Sequence, residues 1–294
     1  MTYGDNSPKA SRWVYRQYEK RSGWTLKRVQ LSGGITILVT SAITAVFINL
    51  LNYSGLIYMI ASLISGALFG AILGGIFVIS MRYLSRHSQM YKLEITEGYS
   101  DRLIEEMKKL EKVTPATASS VALVYNCRGE YINALNELSK VDPFSLHRNP
   151  NGAHDYFAAL LQACVLGGDA EYARATHENG FYYLKTYMNS PISGSHVSLS
   201  LAMYEFFSGR YDLSLNLIDN AFKILNDYYD PEQRIPDENL RSILSYWRAK
   251  NLIAVGKNDE AAKMLKNCES YYKTDYYEKK IDELKKELEN EKIS

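Results

Sequence analysis

The residues best suited to metal chemistry are two histidines and an acid. His147 and His154 belong to one short stretch of the chain, and Asp155 follows directly. Imidazole and carboxylate groups are common metal ligands. A stable site would need a further ligand at helical spacing, and the sequence offers none. The pattern is typical of surface histidines in a loop, and we predict no bound metal.

Motifs for catalysis are also missing from the sequence. There is no G-x-x-x-x-G-K-[ST] to cradle phosphate and no G-x-G-x-x-G after a strand. H-E-x-x-H and G-x-S-x-G do not occur either. Cys127, Cys164 and Cys268 stand alone, which favours inert thiols in a reducing compartment. The sequence therefore predicts a protein that is not an enzyme and has no cofactor.

The clearest indication of how the chain is organised is the uneven distribution of its charged residues. From Gln30 to Met81 there is no Asp, Glu, Lys, Arg or His, although 23% of the chain is charged. Leu31–Leu51 and Leu56–Met81 are each long enough to cross a bilayer, which takes about 20 residues. Because a backbone in lipid must satisfy its own hydrogen bonds, two helices joined by a polar turn are expected. Residues 31–81 thus predict a two-helix transmembrane hairpin.

Basic residues on both sides of this block predict its orientation. Seven of them precede it, against the acids Asp5 and Glu19: Lys9, Arg12, Arg16, Lys20, Arg21, Lys27 and Arg28. Arg82, Arg86 and Lys92 follow it before the next acid, and the turn contains none. Since basic flanks remain on the cytoplasmic side, both termini are predicted to be cytoplasmic. A compact hairpin suits a bacterial plasma membrane.

Small residues recur every four positions within the two spans. The second span carries Ser62, Gly66, Gly70 and Gly74, and the first carries Ser32, Thr36, Thr40 and Thr44. Such rows let helix backbones approach closely. Three interpretations remain open: packing of the two helices within one chain, a homo-oligomer, and a pore. No charge inside the spans marks an ion path.

A four-fold repeat appears in the remainder of the chain. Each copy has a helical segment, a glycine followed by a polar residue, and a small residue five positions after the glycine. The four copies are Gly129 with Ala134, Gly168 with Ala173, Gly209 with Ser214, and Gly256 with Ala261. A glycine can end a helix in the left-handed conformation, and a small residue lets the next helix sit close. The pattern predicts stacked helix pairs.

Over residues 115–270 this pattern resembles tetratricopeptide (TPR) repeats, an α-solenoid family of stacked antiparallel helix pairs. The glycine intervals of 39, 41 and 47 residues are longer than the 34 residues of that family, which longer helices or loops would absorb. The resemblance implies that a protein partner binds in a groove lined by the first helix of each pair. The residues it places there include Leu123, Asn126, Asp155, Gln162, His196, Met203, Phe206, Tyr246 and Lys250.

These elements define an all-α chain with five parts. We predict a basic N-terminal segment (1–30), the hairpin (31–81), a juxtamembrane linker helix (82–114), TPR-like repeats (115–270) and a charged C-terminal helix (271–294). The last segment places Tyr277, Ile281, Leu284 and Leu288 in one narrow stripe. It is expected to cap the repeats with a polar outer face, with a coiled-coil partner helix as the alternative.

Charge restricts the partners of the C-terminal part. Residues 1–30 carry +5 and residues 82–92 carry +3, so the total of +1 leaves about −7 for residues 93–294. Nucleic-acid binding depends on Lys/Arg contacts to phosphate and is therefore not expected. The leading hypothesis is a non-enzymatic, membrane-anchored scaffold whose cytoplasmic TPR-like domain binds another protein. The alternative is an oligomeric pore-forming or transporter-associated membrane protein that the helical domain regulates.

Overall fold

The computed structural model describes residues 92–109, 113–148, 152–191, 193–228 and 234–291, together with a helical subset of earlier positions. That subset comprises residues 31, 34, 35, 38–40, 42, 43, 46, 60, 64, 65, 68, 70–76, 79, 89 and 90. Within the described residues the protein is all-α, as predicted, with helices and connecting turns and no strand. The chain divides into two compact units between Lys92 and Leu93.

Eleven helices of the C-terminal unit have described bounds. They are α1 (Asp101–Lys108), α2 (Pro115–Cys127), α3 (Tyr131–Leu138), α4 (Pro143–Arg148), α5 (Ala153–Gly167), α6 (Ala170–Tyr187), α7 (Gly194–Phe207), α8 (Tyr211–Asp227), α9 (Arg234–Ala254), α10 (Asn258–Asn267) and α11 (Asp275–Glu291). Four pairs are in contact along the chain: α2 with α3, α5 with α6, α7 with α8, and α9 with α10. The first helix of each pair also contacts the first helix of the next.

The four glycines predicted to end helices all do so in the left-handed conformation. Gly129, Gly168, Gly209 and Gly256 have φ between 73° and 78°. After each glycine, the next backbone N–H donates to the carbonyl five residues earlier, as Glu130 does to Tyr125 at 2.9 Å. This bond satisfies a helix-end carbonyl that would otherwise lack a donor. The repeat seen in the sequence is therefore a repeated helix-ending turn.

The small residues that follow these glycines are fully buried. Ala134, Ala173, Ser214 and Ala261 each have 0% of their surface exposed. The Ser214 hydroxyl donates to the carbonyl of Ala202 on the partner helix at 2.7 Å. The predicted close approach within each pair is confirmed, because no larger side chain would fit there without separating the two helices.

The start of α2 and the apolar stripe of α11 also follow from the local sequence. Thr114 caps α2, since its hydroxyl accepts the Thr117 N–H at 3.2 Å and the Thr117 hydroxyl accepts the Thr114 N–H at 2.8 Å. Pro115 occupies the first turn, where no hydrogen-bond donor is needed. The stripe from Tyr277 to Leu288 is buried, and α11 contacts both α9 and α10.

The start of α11 also reaches the first helix pair. The Thr274 hydroxyl donates to the Cys127 carbonyl at 2.5 Å, and the Tyr276 ring lies directly over Gly129. We call these two interactions the closing contact. They join the first pair to the C-terminal helix, so the array closes on itself.

The N-terminal unit is described only through its helical subset. Twelve of the described large aliphatic side chains between Leu31 and Ile79 are 49–71% exposed, whereas Gly70 and Gly74 are buried. Among the described positions, no helix has the length and apolarity needed to cross a bilayer. Residues 1–30 lie outside the described positions, as do Thr36, Ser62 and Gly66.

Candidate functional site

Two of the predicted groove residues lie between neighbouring first helices. Asn126 is 2% exposed, and its amide donates to the Ala159 carbonyl of α5 at 2.9 Å. Gln162 is 5% exposed and donates to the Ser200 hydroxyl of α7 at 2.8 Å. Both side chains hold adjacent pairs together, which removes them from any surface that a partner could contact. Of the neighbouring predicted positions, Leu123 is partly exposed and Met203 is buried.

The predicted groove is less open than expected because the first helices are buried on nearly every side. Each contacts its own partner helix and the neighbouring first helices. In α5, for example, the side chains from Ala158 to Val165 are all buried. Large apolar and small residues on every face of a helix favour such burial. The accessible part of the predicted surface is confined to a few positions.

Asp155 and His196 occupy one end of the first helices α5 and α7. His154 is buried in the first turn of α5 and not at the surface of a loop as expected. Its ring stacks on the Tyr187 ring at 3.9 Å, and its Nε2 lies 3.2 Å from Asp155 Oδ1. Burial lowers the pKa of His196, although the negative charge of Asp155 opposes that shift. The described residues contain no group of three potential ligands that could hold a metal. The His147 side chain lies outside the part of the chain that the structure describes.

The remaining predicted residues, Phe206, Tyr246 and Lys250, are brought together in one cluster. Lys250 Nζ lies 4.9 Å from the Phe206 ring centroid, 5.7 Å from that of Tyr246 and 5.1 Å from that of Trp247. Distances within about 6 Å allow the ring electrons to attract the cation. We call these four residues the Lys250 cluster.

Two helices position the Lys250 cluster. Tyr246, Trp247 and Lys250 lie within one turn of α9, where residues three and four apart share a face. Phe206 comes from the end of α7, and its ring meets Trp247 edge-on at 5.5 Å. The ring of Tyr277 on α11 contacts Tyr246 at 5.6 Å. The cluster thus depends on two helix contacts, one between α7 and α9 and one between α9 and α11.

The electrostatic environment of Lys250 is unfavourable to its charge. Burial lowers the pKa of the ammonium group, and the positive charge of Lys280 on α11 lowers it further. Glu287 acts in the opposite direction. Among the described residues no carboxylate forms an ion pair with Lys250, whereas Lys280 pairs with Glu283 at 2.9 Å. The cluster therefore presents a partly desolvated cation beside aromatic rings.

Trp247 is the member of the cluster that the repeat pattern did not predict. It lies next to Tyr246 and three positions before Lys250, a spacing that would have placed all three on adjoining faces of one helix. A second missed feature is Glu94, whose pKa is raised to about 7 by burial and by the negative charge of Asp237. No local motif marks that pairing, because the two acids are far apart in sequence.

The cysteines offer no nucleophile at neutral pH. Burial raises the pKa of Cys127 to about 12 and that of Cys164 to about 11, so both thiols retain their protons. A thiol reacts mainly as its thiolate.

Comparisons with protein-family models, with curated proteins and with solved structures each find no match.

Proposed function

We propose that this protein is a non-enzymatic, membrane-anchored scaffold whose helical-repeat domain binds a protein partner. The observation that carries the proposal is the Lys250 cluster, in which three of the predicted groove residues meet a tryptophan. Aromatic and charged side chains in a partly desolvated setting are typical of residues that dominate binding energy at protein interfaces. The TPR-like interpretation of residues 115–270 belongs to the same proposal.

The partner-binding part can be tested by paired variants of the full chain in detergent. Phe206→Ala with Lys250→Ala should remove the partner recovered by affinity purification from the native membrane. Phe181→Ala with Lys185→Ala is a matched control, because Lys185 Nζ lies 5.6 Å from the Phe181 ring on the exposed side of α6. Equal recovery by both double variants would count against this surface as the binding site.

The membrane-anchored part rests on the uncharged block and its basic flanks. The exposed aliphatic side chains between Leu31 and Ile79 support it, because apolar surface of that extent is costly in water. Cysteines introduced at Ser54 and Ser85 test the topology in intact cells. An impermeant maleimide should label position 54 and leave position 85 unlabelled, while extraction with carbonate should leave the chain in the membrane fraction. The three native cysteines are first replaced by Ala.

A second candidate function is an oligomeric membrane protein. The burial of Gly70 and Gly74 on one row supports it, since such rows pack helices within a chain or between chains. Gly70→Ile should reduce the native mass in detergent if the row joins copies. Gly75→Ile is the matched control, because Gly75 is exposed and a Cβ there meets nothing within 4 Å. An unchanged mass for Gly70→Ile would contradict an oligomer formed through this row and would leave the scaffold proposal unaffected.

A further inference from the structure

Lys250 differs from Lys280 and Lys285, two lysines of the neighbouring helix α11, in how its charge is satisfied. Lys280 pairs with Glu283 at 2.9 Å, and Lys285 pairs with Glu269 at 2.8 Å. Lys250 is partly buried and meets three rings instead of a carboxylate. Ring faces attract a cation but do not replace the oxygen acceptors that its N–H groups lose on leaving water.

Two lysines and two acids surround this position, and the ammonium group of Lys250 is the one without an ion pair among the described residues. Lys280 repels Lys250 from the neighbouring helix, and Glu283 is already engaged with Lys280. Glu287 is the described carboxylate that attracts Lys250, and it does so without forming an ion pair. An added carboxylate would therefore complete the hydrogen bonds of the ammonium and relieve the repulsion between the two lysines.

The surroundings of the cation favour a carboxylate carried by a peptide over a free anion. Phe206 is partly exposed, Phe207 is 38% exposed on the same turn of α7, and the Tyr211 ring lies 5.4 Å from that of Phe206. An acidic side chain that reaches Lys250 would bring its neighbours in the chain against these rings. An apolar neighbour would gain from that contact, because it would leave water.

From these contacts we infer that the Lys250 cluster binds an Asp or Glu side chain of the partner, flanked by a large apolar residue. The inference rests on the proposed scaffold function and specifies the chemistry of the partner segment. Lys250 supplies the charge, Trp247 and Tyr246 form the floor, and Phe206 receives the apolar neighbour.

The fluorescence of Trp247 can report the binding of a peptide to the cluster. The chain has three tryptophans, Trp13, Trp24 and Trp247, so Trp13→Phe with Trp24→Phe leaves one fluorophore at the proposed site. The full chain carrying these two changes, in detergent, is used to select binders from a random dodecapeptide library. Affinities of the selected peptides, and of versions with each Glu or Asp replaced by the matching amide, are then measured from Trp247 fluorescence.

The selected peptides should carry an acidic residue beside an aromatic or aliphatic one. Amide replacement should weaken binding about tenfold or more, as expected for a partly desolvated ion pair. Lys250→Met should remove the difference between acid and amide, and Lys250→Arg should retain it. Lys185→Met is the control. It removes an exposed cation that also lies near an aromatic ring, and it should leave every affinity unchanged.

Two results would overturn the inference in distinguishable ways. Peptides that bind Lys250→Met as tightly as the parent chain would retain the scaffold function and reject the acidic contact. Failure to select any peptide that perturbs Trp247 would contradict both the acidic contact and the use of this surface for binding.

Discussion

At the scale of single residues, Glu94 is a carboxyl group whose pKa the fold moves into the neutral range. It is partly buried, and burial together with the charge of Asp237 raises its pKa from 4.5 to about 7. Tyr99 and Cys127 also belong to this neighbourhood, and the charge of Glu94 contributes to raising their pKa values. The protonation of Glu94 therefore makes the stability of the C-terminal unit depend on pH.

The sign of this coupling follows from proton binding. Between pH 4.5 and 7 the folded chain holds a proton on Glu94 that the unfolded chain has released, so stability falls as the pH rises. The loss through this group amounts to at most about 3 kcal/mol. Glu94→Gln keeps the neutral shape and should flatten the decrease in melting temperature between pH 5 and pH 8.

Glu97→Gln provides the comparison for that experiment. Glu97 is exposed and pairs with Arg102 at 2.9 Å, so its replacement should leave the pH dependence as in the parent chain. Thermal melting of the full chain in detergent, followed by circular dichroism, measures both variants. An unchanged slope for Glu94→Gln would show that another group carries the pH dependence.

At the scale of helices, buried amides fix how one pair is placed on the next. Asn126→Ala removes the bond to the Ala159 carbonyl between α2 and α5 and should destabilise the fold by about 1–2 kcal/mol. Asn133→Ala removes an exposed bond to Glu130 and should change stability by less than about 0.5 kcal/mol. Chemical denaturation of both variants measures the difference. Equal effects would mean that Asn126 does not set the spacing of the pairs.

The sequence predicts the structure best where the signal lies within one turn of a helix. The helix ends at Gly129 and Gly256, the cap at Thr114 and the buried Ala173 each follow from neighbouring residues. Their physical causes are local backbone freedom, hydrogen-bond donors at a helix end, and the space available between two helices of a pair.

The site was predicted only in part because its geometry depends on distant segments. The repeat register placed Phe206, Tyr246 and Lys250 on one surface, and the structure brings these three together. It also placed Asn126 and Gln162 there, although both are buried between helices. Burial of a first helix depends on how neighbouring pairs stack, which no single turn of sequence specifies.

At the scale of the whole molecule, the closing contact distinguishes this array from an open stack. In an open stack each pair contacts only its neighbours, so stability is nearly a sum of local contributions. Here Thr274 and Tyr276 reach back to Cys127 and Gly129. A destabilising substitution in the first helix pair should therefore also loosen the start of α11.

Two glycine substitutions separate local strain from the closing contact. Gly129 and Gly168 have the same φ of 73°, so alanine at either should cost about 1–2 kcal/mol in backbone strain. A Cβ at Gly168 meets nothing within 4 Å, whereas at Gly129 it would collide with the Tyr276 ring. Gly129→Ala should thus cost about 1–3 kcal/mol more.

Hydrogen exchange identifies where that additional cost arises. Gly129→Ala should increase exchange at the start of α11 as well as at the end of α2, while Gly168→Ala should affect only the turn between α5 and α6. Equal stability of the two variants, with no change in α11, would show that the array does not depend on its closure.

The contact between Thr274 and Cys127 also has a consequence during synthesis. The two residues are 147 positions apart, and at roughly 5–20 residues per second a ribosome needs about 7–30 s to cover that distance. For this interval the nascent chain exposes the end of α2 before its final neighbour exists. The first helix pair must therefore resist aggregation without help from the C-terminus, or be shielded by a chaperone until translation ends.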